Sequence, residues 1–78
     1  MTLTEAKEGD RLIVTGTVGD EVTLQAVRFG IDEGSAIEVR KKIPGGPVII
    51  ARNHLEIAIG PQLAMSIHVE SVSRESAK

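Results

Sequence analysis

The sequence predicts an all-β domain of small α content, a barrel of five or six antiparallel strands with one short inserted helix. Three observations lead there. In the second half of the chain Ile37, Val39 and Ile43 share one parity while Glu38, Arg40 and Lys42 take the other. The same alternation returns in Leu55, Ile57 and Ile59, and again in Ile67 and Val69. Gly, Pro and Asn punctuate these runs, as in Pro44-Gly45-Gly46-Pro47 and Arg52-Asn53-His54. Period-two apolar spacing broken by turn residues belongs to strands, because successive side chains on a strand point to opposite faces.

Each element follows in order. Residues 2–10 are polar, with Leu3 and Ala6 their only apolar anchors. Gly9-Asp10 turns into a first strand at 11–17 that places Leu12 and Val14 on one face. A helix is expected over 21–29, with Asp20 as its cap, Glu21 in its first turn and Gly30 as a left-handed stop. Val22, Ala26 and Phe29 fall on one helical face, while Leu24 and Val27 leave that stripe. Gly34 suits a positive φ in the turn before the next strand. Strands follow at 36–43, 47–52 and 55–60, then a helical turn at 61–64 opened by Pro61, and a last strand at 66–70. Asn53 fits a left-handed turn position. The single domain is placed at residues 1–70, and residues 71–78 read as a polar, flexible tail.

A chain of 78 residues makes a small core, and this one has one aromatic residue, Phe29, and no cysteine. Its stability must therefore come from aliphatic packing, without disulfides or thiolate metal sites. The expected core comprises Leu12, Val14, Val39, Ile50, Ile57, Val69 and Phe29. The formal net charge of −2 argues against binding nucleic acid through phosphate neutralisation. The longest apolar run, Val48-Ile49-Ile50-Ala51, is far too short to cross a bilayer. The first residues lack the basic and apolar segments of a signal peptide, so a cytoplasmic location is expected.

Chemistry-bearing residues are sparse. His54, His68 and Glu70 are the candidate metal ligands. The two histidines are far apart in sequence and lack helical i, i+4 spacing, whereas zinc and iron sites need three or four convergent donors. His68 alternates with Ile67 and Val69, which puts it on a solvated strand face beside Glu70. The serines form no nucleophile elbow, and no glycine-rich segment is followed by the Lys and Ser or Thr of a phosphate-binding loop. No catalytic residue is assigned. Arg40-Lys41-Lys42 reads as the lysine-rich guard of an edge strand rather than as an RNA contact, since no aromatic platform accompanies it. Residues 48–51 read as an edge through which a weak homodimer could pair, the chain otherwise being monomeric.

The order of these parts resembles the bacterial ferrous-iron transport protein A (FeoA-like) family, from about Leu3 to Val69. The likeness is carried by Ala6 and Gly9, by Val27-Arg28-Phe29-Gly30-Ile31, and by Glu33-Gly34 before a strand. It continues through Gly46-Pro47-Val48-Ile49, Leu55-Glu56-Ile57-Ala58-Ile59, Ala64 and Ile67-His68-Val69. The sequence departs from that family at Thr23 and Gln25, where basic residues are common, and at Ala26, where Leu is usual. Asn53 stands in place of a frequent Gly, and Gly60-Pro61 in place of a frequent basic residue.

The resemblance implies an SH3-like barrel and a noncatalytic accessory of ferrous-iron transport. Its implied partner is the cytoplasmic, G-protein-containing part of an iron permease. Leu24 and Val27 are the expected partner-binding residues, because they leave the packing face of the helix. An alternative is a stand-alone transition-metal-binding or metal-sensing module, similar to the C-terminal barrel of metal-dependent repressors. Ferrous iron or another transition metal ion would then be a weakly held ligand, and His54, His68 and carboxylates would have to converge.

Overall fold

The computed structural model describes residues 1–72. After a 3-10 turn at Leu3–Glu5 come β1 (Arg11–Thr17), α1 (Asp20–Arg28), β2 (Ala36–Lys42), β3 (Val48–Arg52), β4 (Leu55–Ile59), the one-turn helix α2 (Pro61–Ala64) and β5 (Ile67–Ser71). All five strands lie in one antiparallel sheet of order β4-β3-β2-β1-β5. The strand boundaries agree with the sequence reading to within one residue. Ser71, expected in the tail, instead pairs with Leu12 as the last residue of β5. Val72, also expected in the tail, donates its N–H to the Arg11 carbonyl at 3.0 Å, and residues 73–78 lie outside the described residues.

Alternation in the sequence becomes burial in the fold. Leu12 and Val14 of β1, Ile37 and Val39 of β2, Val48 and Ile50 of β3, Ile59 of β4, and Ile67 and Val69 of β5 all point into one core. Leu3, Ala6, Ala26, Ile31 and Ala64 close it from the connecting segments. Two expected core residues behave differently. Ile57 is only partly buried and packs against the cluster from its margin. Phe29 is 41% exposed. It follows Arg28, the last residue of α1, and the helix buries only Ala26 of its own residues, so the packed stripe is too narrow to carry the ring inward.

A bulge explains why Ile43 leaves the core while Lys42 approaches it. Val39 pairs with Ile50, but the next pair is Lys41 with Ile49, so Arg40 is an extra residue in β2. One inserted residue exchanges the two faces of everything that follows. Ile43 therefore ends up exposed, and Lys42 turns toward the N-terminal segment. Its Nζ donates to the Ala6 carbonyl at 2.9 Å and to the Thr4 carbonyl as well. Its backbone N–H donates to Glu8 Oε2 at 2.9 Å. The basic cluster is thus no edge guard. It lies on an interior strand, and one of its members anchors the turn that delivers Leu3 and Ala6 to the core.

The helix entry also differs from expectation. Asp20 is the first helical residue rather than the cap, and Gly19 caps the helix with φ of 95°. The exit is as expected: Gly30 has φ of 77°, and its N–H donates to the Val27 carbonyl at 2.9 Å. Asn53 is the only non-glycine residue of positive φ among the described residues, at 58° in the turn joining β3 to β4.

Candidate functional site

Among the described residues α1 carries two exposed large apolar side chains, more than any other element. A helix of nine residues has room for a buried stripe and an outer face, and here the buried stripe is reduced to Ala26. Leu24 and Val27, one helical turn apart, are 55% and 53% exposed. Val27 borders a cavity shared with Thr17, Thr23 and Asp32, in which the Thr17 and Thr23 hydroxyls are hydrogen-bonded to each other at 2.5 Å. Phe29, on the other side of the helix, lines a separate groove of about 470 Å³ with Gln25 of α1, Ala58 of β4, and Pro61 and Leu63 of α2. Leu24 and Val27 thus give α1 a small apolar face, and Phe29, just past its last residue, lies on the other side of the helix, with Gln25 and Arg28 between. Sequence reasoning placed Leu24 and Val27 off the packing face but assigned Phe29 to the core. The signal that could have found it is Ala26, whose single methyl offers the barrel little to grip.

The candidate metal ligands occupy different margins of the sheet. His54 is exposed in the turn between β3 and β4. His68 lies on β5, opposite Gly16 of β1, and forms an isolated bridge with Thr2. Glu70 is exposed two residues further on, opposite Ile13. Among the described residues no group of three or more His, Cys, Asp or Glu side chains could hold a metal ion.

His68 has another neighbourhood. The Glu5 carboxylate accepts a hydrogen bond from the Thr2 backbone N–H at 2.6 Å. That bond is the main cause holding Glu5 below the usual carboxylate range; desolvation opposes it, and the N-terminal ammonium, the Thr2 hydroxyl and His68 add smaller lowering effects. The Val69 N–H donates to the Met1 carbonyl at 2.8 Å. The Thr2–His68 bridge and the Met1–Val69 hydrogen bonds fasten the N-terminal residues to β5.

No helix among the described residues is long and apolar enough to cross a membrane.

Comparison with known proteins agrees with this architecture. Residues 1–71 match the FeoA domain family. A protein of Methanocaldococcus jannaschii that carries the name Fe(2+) transport protein A is 42% identical over 66 residues, covering 83% of this chain and 79% of that protein. The crystal structure of an iron uptake regulatory protein (FeoA) superposes with a TM-score of 0.86 at 32% identity, covering 92% of this chain and 97% of the other. The FeoA-like protein of Clostridium acetobutylicum gives 0.84 at 24% identity, covering 92% and 86% of the two chains. ScaR with bound Cd2+ gives 0.84 at 23% identity over 92% of this chain but only 35% of ScaR, a likeness of fold alone. The SH3-like barrel with one inserted helix is the fold found, and the chain belongs to the FeoA domain family.

Proposed function

We propose that this chain is a noncatalytic, cytoplasmic accessory of ferrous-iron transport that works by binding the cytoplasmic, G-protein-containing part of an iron permease. The family ties it to ferrous-iron transport. The docking element is α1, and the observation that carries this reading is the exposure of Leu24 and Val27 on a helix whose only buried residue is Ala26. Apolar side chains left in water at helical spacing cost hydration free energy that a partner surface recovers. The iron is cargo of the permease, and the accessory acts on the transporter through contact.

Replacing Leu24 and Val27 together with Ser tests this. Both side chains are more than half exposed, so the barrel should keep its circular dichroism and its denaturation midpoint. Capture of the purified permease domain on immobilised chain should fall by tenfold or more, as expected for losing about 1.5–3 kcal/mol of apolar contact. Unchanged capture by a folded double variant would remove α1 from the interface.

A further inference from the structure

We infer that the outer margin of β4 is a self-recognition edge through which two copies of this chain pair antiparallel about a two-fold axis at Ile57. The two margins of the sheet are treated differently. That of β5 is covered, because Thr2 bridges to His68 and the Val69 N–H is bound by the Met1 carbonyl. β4 pairs only with β3. The expectation that residues 48–51 would offer an edge fails, since β3 has a neighbour on each side. The edge lies one strand further out.

Its hydrogen-bonding groups can be assigned. Asn53 and His54 make a two-residue turn, and Arg52 faces Leu55 across it. In such a hairpin the closing pair is hydrogen-bonded, and bonded pairs alternate with unbonded ones thereafter. Leu55, Ile57 and Ile59 therefore bond to β3, while the N–H and C=O groups of Glu56 and Ala58 point outward. No turn, loop or side-chain hydrogen bond among the described residues uses them. Glu56 and Ala58 are both exposed, and Ala58 opens onto the groove lined by Phe29 and Leu63.

The sequence of the edge fits itself. Leu55-Glu56-Ile57-Ala58-Ile59 contains no Pro, no Lys and a single charge, and so lacks the usual protections of an open strand. An axis through Glu56 would oppose two carboxylates. An axis through Ile57 sets each Glu56 against the second copy's Ala58, so the outward backbone groups of both residues meet their complements and the carboxylates stay apart. Leu55, which is 61% exposed, then lies opposite the second copy's Ile59. The contact is small and isologous, well below the size of a stable interface, so weak pairing is expected, with a dissociation constant on the order of 0.1–1 mM.

The register makes an unusual demand on charge. Ala58→Glu places a carboxylate opposite each Glu56, and Ala58→Lys places an ammonium there. Two cross-strand pairs are changed by one substitution, so sedimentation equilibrium of the full chain should show about fivefold weaker pairing for the first and about fivefold tighter pairing for the second. The tightening is diagnostic, because lysine on an open edge otherwise discourages association. On the unaltered chain, amide exchange should slow with concentration at Glu56 and Ala58 and stay constant at Leu55 and Ile57. A chain that remains monomeric at about 1 mM, ten times the tighter limit of the expected range, overturns the proposal. So does a dimer indifferent to both substitutions, a dimer weakened by Lys, or one with no concentration-dependent protection at Glu56 and Ala58.

Discussion

Ile50 and Ile57 face each other across β3 and β4, on the same side of the sheet, yet they should not contribute equally to stability. Ile50 is completely buried, on a strand with a neighbour on each side. Ile57 is partly buried, on a strand with one. Truncation to Ala removes three carbons in either case, about 2.4 kcal/mol of transfer free energy for a fully buried side chain. At position 50 the rigid surroundings leave a cavity, and the total cost rises to about 3–4 kcal/mol. At position 57 much of the side chain already meets water and the space is open to solvent, so about 1–1.5 kcal/mol is expected. A domain of this size has about 4–12 kcal/mol in all, so the first variant should be marginal and the second robust. Urea denaturation followed by circular dichroism reads the difference. With a slope near 1 kcal/mol per molar, the Ile50→Ala midpoint should fall by about 3 M and that of Ile57→Ala by about 1 M. Equal losses, or a larger loss at Ile57, would refute the assignment of Ile57 to the margin of the core.

Other consequences can be measured. Lys42→Met keeps the aliphatic stem but removes the donor to the Thr4 and Ala6 carbonyls, and should cost about 1–2 kcal/mol while speeding amide exchange at Glu5 and Ala6; unchanged exchange would contradict the anchoring role. Glu5 is lowered in the folded state, so the stability it adds is present above the ordinary carboxylate range and is lost as pH falls through the depressed value. Its side-chain carboxyl carbon, followed by NMR, should titrate below that of a free glutamate, and a midpoint at or above the free value would contradict the Thr2 hydrogen bond. Asn53→Gly should be nearly neutral, whereas Asn53→Val should cost about 1–2 kcal/mol through the left-handed backbone; equal stability of the two variants would argue against a positive φ in solution.

The parity of the aliphatic residues made the strands and most of the core legible, because a half-buried strand writes its two faces directly into alternate positions. Leu12, Val14, Val39, Ile50 and Val69 were all identifiable in this way. Gly30 and Asn53 were legible for a different reason, their tolerance of positive φ. What failed depended on tertiary placement. The bulge at Arg40 has no local signature, so the exposure of Ile43 and the inward turn of Lys42 could not be anticipated. Strand order is likewise not written into any one strand, which is why β3 and not β4 looked like the open edge. Phe29 shares the helical spacing of Val22 and Ala26, which points it at the core, but periodicity does not show that the stripe behind it is too narrow to bury a ring. The proposed docking residues Leu24 and Val27 stand out against the helical period, whereas the separate groove beside Phe29 exists only once β4 and α2 arrive next to α1.

The pairing of β1 with β5 sets a timetable for maturation. A ribosome releases Leu12 nearly sixty residues before Ser71, its ladder partner. Closing so long a loop is entropically expensive and comes late. Throughout that interval the nascent chain shows one bare flank of β1 to whatever is nearby. Cellular yield should therefore respond more sharply to changes in the final strand than to equal losses of equilibrium stability elsewhere.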